Sequence, residues 1–181
     1  MAILFTADTH FGHENIIKFC NRPFENVEEM DRVLAENWNH RVCANDDIYI
    51  LGDFCYRNDV SQAIDLLKNL NGRKHLIAGN HDMKYLKNQE FREQFVEVEY
   101  MLTISVDNTR IVLCHYPIAE WDGFFRGTYH IYGHIHNAKN AAFHHLRSVE
   151  QALNAGCDIT RFVPVSFEEL KTYNDIFKQS K

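Results

Sequence analysis

Proline is scarce in this 181-residue chain, at three residues, and glycine nearly so, at eight. So few breakers cannot build a Pro/Gly-rich linker, and no repeat or low-complexity tract divides the chain, so residues 1–181 read as one domain. The five cysteines (Cys20, Cys43, Cys55, Cys114, Cys157) are odd in number and never spaced CxxC. That excludes a disulfide framework and a zinc ribbon, and fits a reducing compartment. The first residues carry no charged leader, and no stretch approaches the roughly 18 apolar residues of a membrane span, so a soluble cytoplasmic protein is expected. Basic runs are also missing. The longest, Arg73, Lys74 and His75, is too short for extended nucleic-acid binding, which needs many phosphate neutralisations.

The chain does have an ordinary globular balance, with 45% hydrophobic and 24% charged residues, and enough length to bury about 70% of its unfolded surface. Histidine is the unusual component. Eleven histidines accompany a formal net charge of −6, and they are scattered, with His144 and His145 the only adjacent pair. Neutral imidazoles are metal ligands and proton carriers near physiological pH, so their excess points to a metal or acid/base site.

Short apolar runs alternate with amphipathic segments. Residues 2–7, 48–51 and 75–78 read as strands. Met30, Val33, Leu34 and Trp38 recur at helical spacing behind the cap Asn26, predicting a helix over 27–41. Val60, Ala63, Ile64, Leu67 and Leu70 make a second helical stripe, stopped by Asn71 and Gly72. The resulting β-α-β-α-β order predicts a parallel sheet covered by helices. Residues 95–106 and 110–114 flank the turn pair Asp107 and Asn108 and read as a hairpin. Residues 129–132 and 151–155 are further strands. Ser166 with Glu169 forms a capping box, and Val165 with Leu170 a hydrophobic staple, predicting a closing helix over 167–177.

Five times an apolar run ends and a metal-ligand type follows at once. ILFTA leads to Asp8 and His10, IYILG to Asp53, HLIAG to Asn80, His81 and Asp82, RIVLC to His115, and HIYG to His134 and His136. Ligand crevices of α/β sheets lie at the carboxyl ends of strands, so these groups can converge in one pocket. Carboxylates, imidazoles and an amide oxygen suit manganese, iron, zinc or nickel. The donors exceed what one ion needs, and a carboxylate such as Asp53 can bridge two ions about 3.5–4 Å apart, with a bridging hydroxide for in-line attack at phosphorus. Singly, Asp8 fits a turn, His10 a loop and Asn80 a helix cap. Their ordered coincidence is the signal.

DxH at Asp8 and His10, GD at Gly52 and Asp53, GNHD from Gly79 to Asp82, the lone His115 and GHxH from Gly133 to His136 follow the order of the calcineurin-like metallophosphoesterases. The chain resembles that family over roughly residues 3 to 158. DTHFGHENI and HYPIAEWDGFFRG resemble its small bacterial and phage-type branch. The resemblance implies an α/β sandwich of two mixed β-sheets flanked by helices. It implies that Asp8, His10, Asp53 and His136 hold one divalent ion, and that Asp53, Asn80, His115 and His134 hold a second, manganese being favoured. It leaves His81 unligated, to stabilise charge or protonate the leaving oxygen.

Around these, Asp82 is either a helix cap or a support for the ligands. His13, three residues past His10, is a candidate phosphate contact. Arg57 stands where some phosphatases of the superfamily place a phosphate-binding arginine, although Tyr56 replaces the acidic neighbour expected before it. Trp121 and Arg126 belong to a loop that can stack on a base and hold its phosphate; core packing accounts for the aromatic equally well. Cys114 is sent by strand alternation to the face opposite His115. His40, His75, His130, His144 and His145 match no motif. The reading is a dinuclear-metal phosphoesterase acting on a small phosphodiester or nucleotide. A phosphomonoesterase is the alternative, and a non-catalytic interaction scaffold or a DNA nuclease on the same fold are rivals.

Overall fold

A computed structural model describes residues 1–57 and 59–180. The first half supplies β1 (Ile3–Thr6), α1 (Glu14–Phe19), α2 (Val27–Arg41), β2 (Asp47–Ile50), α3 (Val60–Asn69), β3 (Arg73–Ile77), α4 (Gln89–Arg92) and β4 (Glu97–Glu99). The second adds β5 (Met101–Val106), β6 (Thr109–Cys114), β7 (Tyr129–Tyr132), α5 (Ala141–Leu146), β8 (Ala152–Asn154) and α6 (Phe167–Gln179). The caps are local chemistry. Asn26 accepts the Glu29 N–H at the start of α2, and Ser166 and Glu169 exchange hydrogen bonds in a capping box at the start of α6.

Two four-stranded sheets result, ordered β1-β2-β3-β4 and β5-β6-β7-β8. The first is parallel throughout, with an antiparallel contact only at the bridge Phe5–Val165 among the described residues. The second is mixed: β5 and β6 form the hairpin around Asp107 and Asn108, while β6, β7 and β8 run parallel. One expected strand is in fact two. Residues 97–99 pair with β3, and residues 101–106 pair with β6, so the chain changes sheet at Tyr100. Continuous strand-like sequence on both sides of Tyr100 hides the change of partner.

Alternation along the strands sorts side chains into layers. Leu4, Ile48, Ile50 and Leu76 point outward onto Leu34, Trp38 and Leu67 of α2 and α3. Phe5, Tyr49, Leu51 and Ile77 point inward and meet Ile111, Leu113, Ile131 and Leu153 of the second sheet. The outer face of that sheet, through Val112 and Tyr132, is covered by Phe143 and Leu146 of α5 together with Trp121. The order is therefore helix, sheet, sheet, helix, and the parallel strands open their carboxyl ends to the same edge. Phe5 is fully buried between the sheets. Phe5→Ala should lower unfolding stability by about 3–5 kcal/mol, and Ser166→Ala by only about 1 kcal/mol, both read by urea denaturation.

Candidate metal centre

The loops leaving the strands are laced to one another. The Asp8 N–H donates to Gly52 O at 3.0 Å, the His10 N–H to Asp53 O at 3.1 Å, and the Gly133 N–H to His115 O at 2.9 Å. Asp8, His10, Asp53, His134 and His136 all have left-handed backbones, with φ between 51° and 71°. Such geometry costs about 1–3 kcal/mol per non-glycine residue and persists only where the surroundings over-determine it. Gly79 is needed for close approach: a Cβ there would lie 2.3 Å from Asp53 Oδ1 and 2.7 Å from Asp53 N.

Two ligand sets follow from this lacing. The donor atoms of Asp8, His10 and His136 lie within 4.8 Å of one another, and so do those of Asp53, His115 and His134. Asp53 Oδ2 stands between the sets, 3.7 Å from His10 Nε2 and 3.6 Å from His115 Nε2. Asn80 joins the second set, its Oδ1 lying 3.3 Å from His115 Nε2. His115 donates from Nδ1 to Leu51 O at 2.7 Å, and His136 Nδ1 meets Asp158 Oδ2 at 3.1 Å, which directs each Nε2 inward. Both ring nitrogens of His10 are buried without a hydrogen-bond partner. An orphaned buried imidazole among carboxylates, with no thiolate in either set, fits a borderline divalent ion.

Protonation follows burial. Desolvation lifts the Asp8 carboxyl to about 6. Burial, reinforced by His136, holds His10 far below the usual imidazole range and so neutral, as a ligand must be. Burial also lowers His134. His136 goes the other way: against desolvation, hydrogen bonds led by Asp158 raise it to about 10.

Two supports, Arg22 and Asp158, escaped the sequence reading. Arg22 forks onto Asp158 at 2.8 and 3.0 Å and donates to Asp8 O at 2.7 Å and Thr9 O at 2.9 Å. Asp158 in turn orients His136. It lies just past β8, at one more strand end, where a residue outside the five blocks could have been sought; Arg22 carries no such signal. Cys20 also approaches His136 and Asp158, but Asp158 is already committed to Arg22. Asp82 is fully buried and accepts the N–H groups of Asp53, Phe54 and Gly79 at 2.8, 3.0 and 2.8 Å, so it fixes the backbone on either side of the bridging carboxylate.

A cavity of about 600 Å³ opens beside the centre, lined by His10, His13, His81, His134 and His136 among others. Arg57, Trp121 and Arg126 are not brought to it. Arg57 pairs with Asp31 of α2, whose other oxygen accepts the Gly12 N–H at 2.9 Å. Trp121 is buried on the outer face of the second sheet, donating to Thr128 O at 2.8 Å, because its loop folds back onto β7. Arg126 is exposed and pairs with Asp122. Of the histidines outside the motifs, His75 bridges Asp47 and Glu97, and His130 is buried against Val112 O.

Proton and metal compete for His136, so ion affinity should rise about tenfold per pH unit between pH 7 and 9, with one proton released through this residue. Asp158→Asn should flatten that slope, because it removes the partner that holds the proton on His136, and should weaken binding about 10–100-fold only near pH 10 and above, where the proton no longer competes, read by calorimetry in buffers of different ionisation enthalpy.

Comparison with known proteins agrees with this geometry. Residues 1–152 match the family described as calcineurin-like phosphoesterase. An uncharacterized protein of Methanocaldococcus jannaschii is 36% identical over 167 residues, covering 92% of this chain and 87% of that protein. The Gene 66 protein of Mycobacterium phage L5 is 28% identical over 178 residues, covering 83% of this chain and 86% of its own. A protein of unknown function from Aquifex aeolicus has a similar crystal structure, with a TM-score of 0.73 at 28% identity, over 94% of this chain and 97% of that one.

Proposed function

Since the chain belongs to the calcineurin-like phosphoesterase family, metal-dependent phosphoric ester hydrolases, we propose that its substrate is a small phosphodiester of the nucleotide class and its working ion manganese. One observation carries the reading: two three-residue ligand sets meet at Asp53, with His81 at the mouth of the adjoining cavity. Two divalent ions held there supply the Lewis-acid chemistry of hydrolysis at phosphorus, neutralising charge and activating water.

The chain's own groups do the rest. Asp8, His10 and His136 are buried or half-buried and held in place by backbone hydrogen bonds, Arg22 and Asp158, so they bind without reorganising. His81 stands outside both ligand sets. Its N–H donates to Asp53 Oδ1 at 2.9 Å, and its Nε2 lies 3.9 Å from Asp53 Oδ2. With the side chain 37% exposed toward the cavity, it can give a proton to the departing oxygen. An interaction scaffold has no need of such a group beside a complete ligand set.

Among the described residues no lysine or arginine lines the cavity. A diester monoanion needs less added positive charge than a monoester dianion, which favours the diester. The monoester reading has one observation of its own: a second depression of about 410 Å³ beyond His81 carries Lys84 and Lys87. Among the described residues no helix is long and apolar enough to cross a membrane. All five cysteines are free, which supports a reducing, cytoplasmic setting.

With manganese the protein should hydrolyse bis(p-nitrophenyl) phosphate faster than p-nitrophenyl phosphate, and a chelator should abolish both activities. His81→Ala should lose about 10²–10⁴-fold in turnover while binding as much manganese. Full turnover in that variant would remove the assigned role.

A further inference from the structure

The cavity has an aromatic side that the hydrolytic chemistry does not use. The His13 and Tyr56 rings stack at 4.2 Å with 24° between planes. Lys84 Nζ lies 4.5 Å over the Tyr56 ring. Lys84 Nζ and the His13 ring therefore both lie against the Tyr56 ring, each within 4.5 Å of its centre. Phe19, the last residue of α1, stands nearly perpendicular to His13, 6.3 Å away at 80°, and is 73% exposed. His13 Nδ1 is buried and has no hydrogen-bond partner.

Most of the Phe19 ring is left open where it lines the cavity. The His13 and Phe19 rings both line the cavity, set at nearly right angles to one another as a corner. His13 lies 5.3 Å from His10 of the metal centre, ring centre to ring centre. The same cavity is lined by the amide side chains of Asn137 and Asn140. Asn137 gives an amide N–H to Cys20 O, and Asn140 accepts the Phe143 N–H, which leaves the Asn137 carbonyl oxygen and the Asn140 amide group for a ligand.

Resting on the phosphoesterase reading, we propose that the His13–Phe19 corner binds the nucleobase of the substrate by stacking while the phosphate lies on the metal centre. A flat, neutral heterocycle edged with donors and acceptors matches two nearly perpendicular rings and amides lining the same cavity. Among the described residues no lysine or arginine lines this cavity to hold a second phosphate or an acidic peptide. Tyr56 acts as a positioning residue, holding the His13 plane from behind.

The test compares two ligands that differ only in the base: the methylenephosphonate analogues of adenosine 5′-monophosphate and of ribose 5-phosphate, in which CH₂ replaces the ester oxygen and neither is cleaved. Titrated calorimetrically into the manganese-loaded protein, the nucleotide analogue should bind at least about tenfold more tightly. Phe19→Ala and Tyr56→Leu should each bring the ratio close to one, and Phe19→Trp should restore it. Equal binding of the two ligands to the native protein, no detectable binding of the nucleotide analogue, or a preference that survives both Phe19→Ala and Tyr56→Leu would overturn the proposal. Because binding is read without turnover, the two readings fail separately. Absence of base preference with bis(p-nitrophenyl) phosphate hydrolysis intact removes the corner alone. Base preference without hydrolysis of any ester removes the phosphoesterase reading alone.

Discussion

The Arg22–Asp158 pair leaves only 0% and 1% of its side-chain surface exposed and holds three separate stretches of chain in register. Burying bare ions costs several kcal/mol each, and only a full complement of hydrogen bonds offsets it. The fork on Asp158 and the donations to Asp8 O and Thr9 O provide that complement. The strained loop after β1 therefore cannot relax without stranding a guanidinium. His136 cannot turn without leaving Asp158 unpaired. Asp82 plays the matching part for the loops after β2 and β3, gathering three N–H groups around one carboxylate. Ligand geometry is thus imposed by two buried polar clusters rather than by the ligands themselves, which is how five left-handed non-glycine residues persist in one site.

The ligand residues were readable because their signal is local: a strand ends and a donor follows. The same holds for α2 with its Asn26 cap and for the Ser166 capping box, where residue type and three-residue spacing determine the structure. Contacts between distant segments were not readable. Arg22 and Asp158 are 136 positions apart, and neither sits in a periodic or capped context that sets it aside from other charged residues. The aromatic loop at 121–126 shows the opposite failure. Tryptophan and arginine beside a ligand block suit a substrate contact by composition, but Trp121 has an indole N–H that finds Thr128 O and an apolar face that finds Val112 and Tyr132. Phe19 and Tyr56 drew no notice as ring residues, since each is isolated in sequence and only α1 and the loop after β2 bring them to His13.

Electrostatics links the centre to the whole chain. Burial lifts the Asp8 carboxyl to about 6 and keeps His10 neutral, so this part of the centre resists carrying its own charge. A divalent ion reverses that balance, because it favours the carboxylate and needs the unprotonated imidazole. Folding and ion uptake are therefore coupled: each ion at about 100 times its dissociation constant adds about 2.7 kcal/mol to stability. Two ions also move the formal charge from −6 to about −2. With no lysine or arginine among the described residues that line the cavity, the attraction for phosphate comes from the ions, and discrimination among phosphate esters falls to what the rings and amides of its walls can recognise. An acidic chain rich in histidine can in this way bind anions while carrying almost no fixed positive charge where they bind.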